Sequence, residues 1–416
     1  MKINKLYLSL LAVAALSACT ADDDSAQQTI DIDDSPVEVR LSAGSGSKTR
    51  ASVESDANGL FEVEGLGIFM LAVEKQGTNP VAWDITWATA AEAGEDPYHP
   101  DCGYANWAAV QLNNVEANAV AGDNQGTPCT DIEWADGESK FYPFGNWYNY
   151  RFYGYYPIVS SEQLTQTASQ RLVTYTHLDG TKDIIWGQSK LGSNNNEDDN
   201  YDQFNAYRYS ARYFRQANNS NNLPELGFQH KLMRMKFFIE GLADATGKFD
   251  AANNMVVESI VVEKVPQTAY LVVADMNGTD DGKISFEDWT DDVADLTVSL
   301  KEAETDRQVE EDNASLVRNR KEVTQDAILL PVPDEAAAAV NYKYRLLITL
   351  KDTSLNQVFS HEMPIDLNMS NVDLVYEKGK SYNVIIKIGG PTEVSLRASL
   401  KAWDEDDESI VPLELF

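Results

Sequence analysis

Apolar and polar residues alternate along three segments in the second half of the chain. The apolar positions are Tyr342, Tyr344, Leu346, Ile348 and Leu350 in the first segment, Tyr382, Val384, Ile386 and Ile388 in the second, and Val394, Leu396, Ala398 and Leu400 in the third. Successive side chains of a strand point to opposite faces, so each segment predicts an antiparallel strand with one buried face.

A fourth alternating segment changes phase part-way. Its apolar positions are Leu226, Phe228 and His230 before the change, and Met233, Met235, Phe237 and Ile239 after it. One extra residue in a strand produces such a phase change, so we expect a β-bulge near Lys231. On this strand, His230 is predicted to be a core or interface histidine with a hydrogen-bonded ring rather than a ligand.

The first half of the chain carries less regular strand signals. Val37 to Leu41 alternates, and Phe61 to Val73 is apolar enough for a buried strand pair that breaks at Gly65 or Gly67. The aromatic block from Phe141 to Pro157 favours strand structure. We expect this block to form sandwich core, with stacking on sugar rings as the alternative.

Polar segments divide the chain. Residues 88–140 are rich in Ala, Asn and Gly and predict loops, and Gln216 to Asn222 predicts a domain boundary. The predicted organisation is a signal peptide over 1–18, a tether, first strand and basic loop over 19–50, and domains over 51–224 and 225–416. The fold class is mostly β, with two tandem antiparallel β-sandwiches.

Composition and charge exclude several classes of function. The 416 residues carry a formal net charge of -33, so nucleic acid and anionic lipid headgroups would both repel the chain. Any membrane attachment is therefore expected to be covalent or hydrophobic. The sequence contains no nucleophile elbow, no zinc-protease motif and no phosphate-binding loop, and we predict neither an enzyme nor a cofactor.

The N-terminus predicts export. Lys2 and Lys5 precede the apolar run from Leu6 to Leu16. As a helix, this run would span about 16 Å, against roughly 30 Å of membrane hydrocarbon, which is typical of a signal peptide. The run ends in Leu-Ser-Ala-Cys, which resembles the lipobox of bacterial lipoproteins, and Cys19 is the predicted lipid attachment site.

The other two cysteines and one acidic loop are candidate sites. Cys102 and Cys129 can form a disulfide in an oxidising compartment or remain two buried thiols, and the sequence does not decide between these states. The segment from Asn277 to Asp288 resembles an EF-hand calcium loop. Its candidate ligands are Asn277, Thr279, Asp281 and Asp288, with Gly282 at the sharp turn and Ile284 packing inward. A polar hairpin turn is the alternative interpretation.

The order of several short motifs resembles a known family. The motifs are the lipobox, Val37-Glu38-Val39-Arg40-Leu41, Lys48-Thr49-Arg50-Ala51, Gly67-Ile68-Phe69, Tyr153-Gly154-Tyr155-Tyr156-Pro157, Asp183-Ile184-Ile185-Trp186-Gly187, Phe228-Gln229-His230-Lys231-Leu232-Met233-Arg234, Gly379-Lys380-Ser381-Tyr382 and Trp403. Together they are similar to the fimbrillin family of Bacteroidales type V pili. Stalk, anchor and tip subunits all occur in this family.

The resemblance implies a fold and a route of maturation. The implied domains are transthyretin-like or immunoglobulin-like β-sandwiches, secreted as a lipidated precursor. In the family, an arginine-directed protease removes the lipid and the first strand, and one subunit then places a strand in the groove of another. Carried onto this chain, the lipid is on Cys19, the removed strand is around Val37 to Leu41, and cleavage after Arg50 leaves Ala51 as the N-terminus.

The C-terminal segment is a candidate donor strand. Val411, Leu413 and Leu415 alternate with Pro412 and Glu414, so one apolar face can enter a groove. The alternative is that the segment is the last strand of its own domain.

These observations predict a structural subunit, stalk or tip, of a fimbria at the cell outer membrane. Its expected partners are other fimbrial subunits, a maturation protease and ligands on host or bacterial surfaces. The alternative is a surface glycan-binding lipoprotein of a polysaccharide-uptake system. Cleavage in the basic loop at residues 48–50 separates the two, since only a polymerising subunit needs it.

Overall fold

β-Strands dominate the part of the chain for which the fold is described. The computed structural model describes residues 37–45, 50–51, 53–54, 62–75, 82–83, 110–124, 127–142, 148–189, 209–214, 223–242, 250–286, 292–309, 320–332, 344–365 and 376–401. In chain order the strands are β1 Leu41–Ser45, β2 Arg50–Ala51, β3 Val53–Glu54, β4 Val63–Lys75, β5 Val110–Asn124, β6 Thr127–Trp134, β7 Tyr148–Tyr156, β8 Leu164–Gln166, β9 Gln170–Tyr175, β10 Ile185–Ser189, β11 Glu225–His230, β12 Met233–Gly241, β13 Met255–Pro266, β14 Ala269–Asp275, β15 Ile284–Phe286, β16 Val293–Thr297, β17 Arg320–Glu322, β18 Ile328–Leu330, β19 Arg345–Asp352, β20 Gln357–Pro364, β21 Ser381–Gly390 and β22 Glu393–Lys401. Two one-turn helices, α1 Ala211–Phe214 and α2 Asp250–Asn253, and two 3-10 turns, Ser161–Gln163 and Glu304–Arg307, complete the list.

Seven strands close into a barrel, in the order β1, β11, β10, β7, β4, β5, β6 and back to β1. Closure leaves no free edge in this sheet. The interior is filled by apolar side chains from every strand, among them Leu41, Leu66, Ile68, Ala117, Ile132, Phe152, Ile185, Leu226 and Phe228. The barrel is therefore a packed core.

Two further sheets share the largest buried core. One has the order β17, β12, β21, β22, with β18 also paired to β12, and the other has the order β16, β13, β19, β20. The buried positions are those of the alternating pattern: Met233, Met235, Phe237 and Ile239 in β12, Tyr344, Leu346, Ile348 and Leu350 before and within β19, and Tyr382, Val384, Ile386 and Ile388 in β21. These strands are confirmed. The prediction of antiparallel pairing holds on one side of β21 only, because β21 runs antiparallel to β22 but parallel to β12.

A fourth sheet joins the two halves of the chain. It has the order β15, β14, β9, β8, so strands from residues 164–175 pair with strands from residues 269–286. Likewise, β11 follows the predicted boundary at residue 224 yet belongs to the barrel. Two tandem sandwiches are not confirmed, because strands from both sides of that residue share two sheets.

Three local predictions are wrong. The expected bulge near Lys231 is a bend at Lys231 and Leu232, where the chain leaves the barrel and enters the sheet of β12. The expected strand pair at Phe61 to Val73 is the single strand β4, with a register shift at Gly65, whose φ is 84°. Residues 88–140 were expected to be loops but contain β5 and β6.

The aromatic block supplies core, as expected. Tyr142, Tyr150, Phe152, Tyr153 and Tyr155 are all buried. Burial raises the pKa of the Tyr142 hydroxyl well above its usual value, because the tyrosinate would lie in an apolar interior. Among the described residues, no helix is long and apolar enough to cross a membrane.

Candidate functional site

The closing strand of the barrel is the feature that bears on function. β1 runs antiparallel to β6, with Leu41 opposite Ile132 and Ala43 opposite Thr130. On its other side it runs parallel to β11, with Ser42 opposite Glu225. We call β1 and its pairings with β6 and β11 the barrel seam.

The chain before β1 is also held in place. The Val39 amide donates to the Lys140 carbonyl at 2.7 Å, and the Tyr142 amide donates to the Val37 carbonyl at 2.9 Å. The Ser42 amide donates to the Pro224 carbonyl at 3.0 Å. The segment from Val37 to Ser45 is thus docked along its length.

The predicted alternation in this segment is confirmed by burial. Val39, Leu41 and Ala43 enter the barrel core, whereas Glu38 and Arg40 are exposed. The pairing extends further than expected, since Gly44 and Ser45 belong to β1 rather than to a loop. A Cβ atom at Gly44 would lie 2.0 Å from the Glu225 Oε1 atom, so a larger residue there would displace the end of that side chain.

Without β1, the barrel would expose a groove with two unpaired edges. One wall would be β6 around Thr130 and Ile132, and the other would be β11 around Leu226 and Phe228. These side chains are apolar except for Thr130, and they lie in the core that Val39, Leu41 and Ala43 complete. Such a groove has the chemistry to accept another alternating strand.

The predicted cleavage position lies in a short ladder. Arg50 is opposite Glu54 and Ala51 is opposite Val53, as β2 and β3 pair. Cys19 and the donor-strand positions Val411, Leu413 and Leu415 lie outside the described residues, so lipidation and strand donation stay predictions.

The described residues include only part of the cysteine and calcium candidates. Cys129 is half-buried in β6, and its thiol donates to the Asp131 Oδ1 atom at 3.4 Å. Cys102 lies outside the described residues, and the disulfide stays a prediction. Asp288 also lies outside them, and no group of His, Cys, Asp or Glu in the described part of the chain is arranged to hold a metal.

The candidate calcium loop forms the turn between β14 and β15. Asp281 in this turn accepts a hydrogen bond from the Asp275 amide at 2.6 Å and forms an ion pair with Arg151 of β7 at 3.1 Å. Burial raises the pKa of the Asp281 carboxyl, and Arg151 opposes that shift. Gly282 has a φ of 69°, and Ile284 packs inward as expected. The turn therefore fastens the barrel to the fourth sheet.

A buried polar pair lies at the end of β11. The His230 Nδ1 atom contacts the Asp183 carboxylate, and both side chains are buried. The expectation of a hydrogen-bonded core histidine is confirmed. Its partner was not predicted, although Asp183 opens one of the motifs used above. Next to it, the Lys231 ammonium lies 4.5 Å from the centre of the Trp186 ring.

Sequence comparison now bears on this geometry. A family model described as fimbrillin-like matches residues 49–403. The chain belongs to this fimbrillin-like family. The resemblance drawn from the motif order is therefore confirmed.

Solved structures with a similar fold are distant. A candidate cell adhesion protein from Bacteroides uniformis is 15% identical, with a TM-score of 0.43 over 89% of this chain and 99% of its own. The fimbrial anchor protein Mfa2 from Porphyromonas gingivalis is 9% identical, with a TM-score of 0.30 over 88% of this chain and 99% of its own. At these TM-scores, we infer nothing about this fimbrillin-like chain from the two structures. No curated protein matches it.

Proposed function

We propose that the chain is a structural subunit of a cell-surface fimbria, matured by proteolysis and assembled by strand exchange. In this proposal the precursor is held at the outer membrane by a lipid on Cys19. A protease cuts after Arg50 and releases residues 19–50, which include β1. The vacated barrel seam then receives a strand from another subunit.

The observation that carries the proposal is the position of β1. It closes the barrel between β6 and β11, yet its residues precede the predicted cleavage position. Among residues 37–44 of the docked segment, whose burial is described, the buried ones are Val39, Leu41 and Ala43. Burying a Val or Leu side chain contributes roughly 1.5–3 kcal/mol, so β1 is held by a contribution that another strand of similar pattern can replace.

The C-terminal segment has such a pattern. Val411, Leu413 and Leu415 have the spacing of Val39, Leu41 and Ala43. A donor that copies β1 would run parallel to β11 and antiparallel to β6. Pro412 has no amide hydrogen, so it would occupy a position whose nitrogen faces away from the ladder.

The test is the N-terminal residue of subunits recovered from fibres sheared from cells. We expect Ala51 by Edman sequencing. Arg50→Gln should keep the chain unprocessed and unassembled, whereas the control Arg40→Gln should be processed normally, because Arg40 lies within the docked segment. Assembled fibres that begin at Cys19 or Thr20 would refute the maturation scheme.

A further inference from the structure

A cavity of about 720 Å³ lies away from the barrel seam. It is bounded by the residue before β4, the turn after β9, one face of β12, the end of β16 and the loop before β18. Small-molecule sites in proteins have volumes of about 300–1,000 Å³. Neither the proposed cleavage nor the proposed strand exchange uses this cavity.

Its walls carry charged side chains of both signs. Arg234 and Lys236, two residues apart on β12, are half-buried in the wall. Lys236 also pairs with Glu322 at 3.3 Å. The carboxylates of Glu62, Asp179 and Asp326 lie at exposed positions of the rim. A strongly anionic ligand would meet these carboxylates, and a strongly cationic ligand would meet the two basic side chains.

Uncharged hydrogen-bonding groups supplement these charges. Thr181, Ser299 and Gln325 line the cavity and are exposed. The Thr181 hydroxyl already donates to Asp179, so it is available to a ligand as an acceptor. A hydroxyl both donates and accepts hydrogen bonds, and a primary amide does the same through separate atoms. Carboxylates accept from ligand hydroxyls, while Arg and Lys donate to ligand oxygens. The wall thus matches a ligand rich in hydroxyl groups.

The floor of the cavity is apolar. Val298, Ile328 and Leu329 are buried beneath the polar wall. Sugar rings present C–H groups on their faces and hydroxyls around their edges, so an apolar floor below polar walls complements both parts of a ring.

The walls are fixed by main-chain hydrogen bonds. The Leu329 amide donates to the Gly180 carbonyl at 2.8 Å, and the Gln325 amide donates to the Ser299 carbonyl at 2.9 Å. The Asp179 carboxylate accepts from the Thr181 amide at 2.9 Å and from its hydroxyl at 2.7 Å. Because the loops are already positioned, a ligand would not have to order them on binding.

We propose that this cavity binds an uncharged oligosaccharide. The volume, the presence of charges of both signs, the hydroxyl and amide groups and the apolar floor all agree with that class of ligand. The proposal does not rest on fimbrial assembly, because every group invoked belongs to one chain and none of them lies at the seam.

The test is a calorimetric titration of the full chain with four neutral trisaccharides: maltotriose, cellotriose, mannotriose and xylotriose. We expect at least one to bind with a Kd of about 1 mM or tighter. Ser299→Ala and Gln325→Ala should each weaken that binding about two- to tenfold, the effect of losing one hydrogen bond. Gln357→Ala is the matched control, since Gln357 is exposed on β20 and does not line the cavity.

The three substitutions are at exposed positions and should leave the thermal unfolding midpoint unchanged. Trigalacturonic acid and the trimer of glucosamine, the charged counterparts, should bind more weakly than the best neutral sugar. The proposal is overturned if none of the four neutral sugars binds, if a charged trimer binds more tightly than all of them, or if both cavity variants bind like the wild-type chain.

Discussion

At the scale of single residues, two buried polar pairs connect strands that are distant in sequence. Asp183 contacts His230 of β11, and Asp281 links the fourth sheet to Arg151 of the barrel. Removing one partner of such a buried pair leaves the other unsatisfied, which costs about 1–3 kcal/mol or more for a charged group. The first pair therefore joins β11 to the segment just before β10, its neighbour in the barrel, and the second joins the barrel to the fourth sheet.

Lys231 is a residue whose charge the fold disfavours. Burial lowers the pKa of its ammonium to about 8, with a smaller contribution from Lys378. The unfolded chain, with an ordinary lysine pKa near 10.5, binds more protons between these two values. The free energy of unfolding therefore rises with pH from about 8 to 10.5. At pH 7 the lysine is protonated in both states, so the folded chain carries the full cost of the buried charge.

We predict that Lys231→Met is more stable than the wild-type chain at pH 7. The pKa shift from 10.5 to about 8 corresponds to a cost on the order of 3 kcal/mol for burying the charge. The substitution removes this cost but also loses the contact with Trp186. The advantage should shrink as pH rises to 10, measured by urea unfolding at each pH. Lys283→Met is the control, since that side chain is 65% exposed and should show no such trend. Unfolding free energies that stay parallel across this pH range would contradict the prediction.

At the scale of elements, strands with strict alternation were predictable and others were not. β19 has a regular pattern because only one of its faces is buried, whereas β21 keeps the pattern although both of its faces are buried from Ser381 to Ile386. β5 was missed, since its Ala- and Asn-rich sequence has low strand propensity and is held by pairing with β4 and β6. The parallel pairing of β1 with β11 joins segments over 180 residues apart, and no local pattern encodes it.

The same reasoning makes β1 a separable element. We predict that a chain beginning at Ala51 folds with an open barrel seam and binds a synthetic peptide spanning residues 36–45. Saturating peptide should raise its thermal midpoint by at least about 2–4 °C, because the peptide returns three apolar side chains to the core. A peptide with Leu41→Asp is the matched control and should have no effect. Equal midpoints with both peptides would show that the seam does not accept a strand.

At the scale of the whole molecule, the structure describes only some of the residues that the proposed assembly uses. The candidate strand Val37 to Leu41 was found from alternation, and its place in a closed barrel became clear only from contacts distant in sequence. The lipobox resemblance and the donor pattern involve residues outside the described part of the chain. The match over residues 49–403 shows the family. Assembly is tested by changing the C-terminal segment.

Deleting residues 410–416 is the experiment that decides how subunits join. If this segment is a donor strand, the cleaved monomer keeps its thermal midpoint but no longer polymerises in a light-scattering assay. Three apolar side chains at roughly 1.5–3 kcal/mol each would be lost from the junction between subunits and none from the monomer. Leu413→Asp should act in the same way without shortening the chain, whereas Glu414→Gln, on the opposite face of the segment, should polymerise normally. If the truncated monomer instead loses thermal stability, the segment is the last strand of its own domain, and if it polymerises like the wild-type chain, the donor is elsewhere.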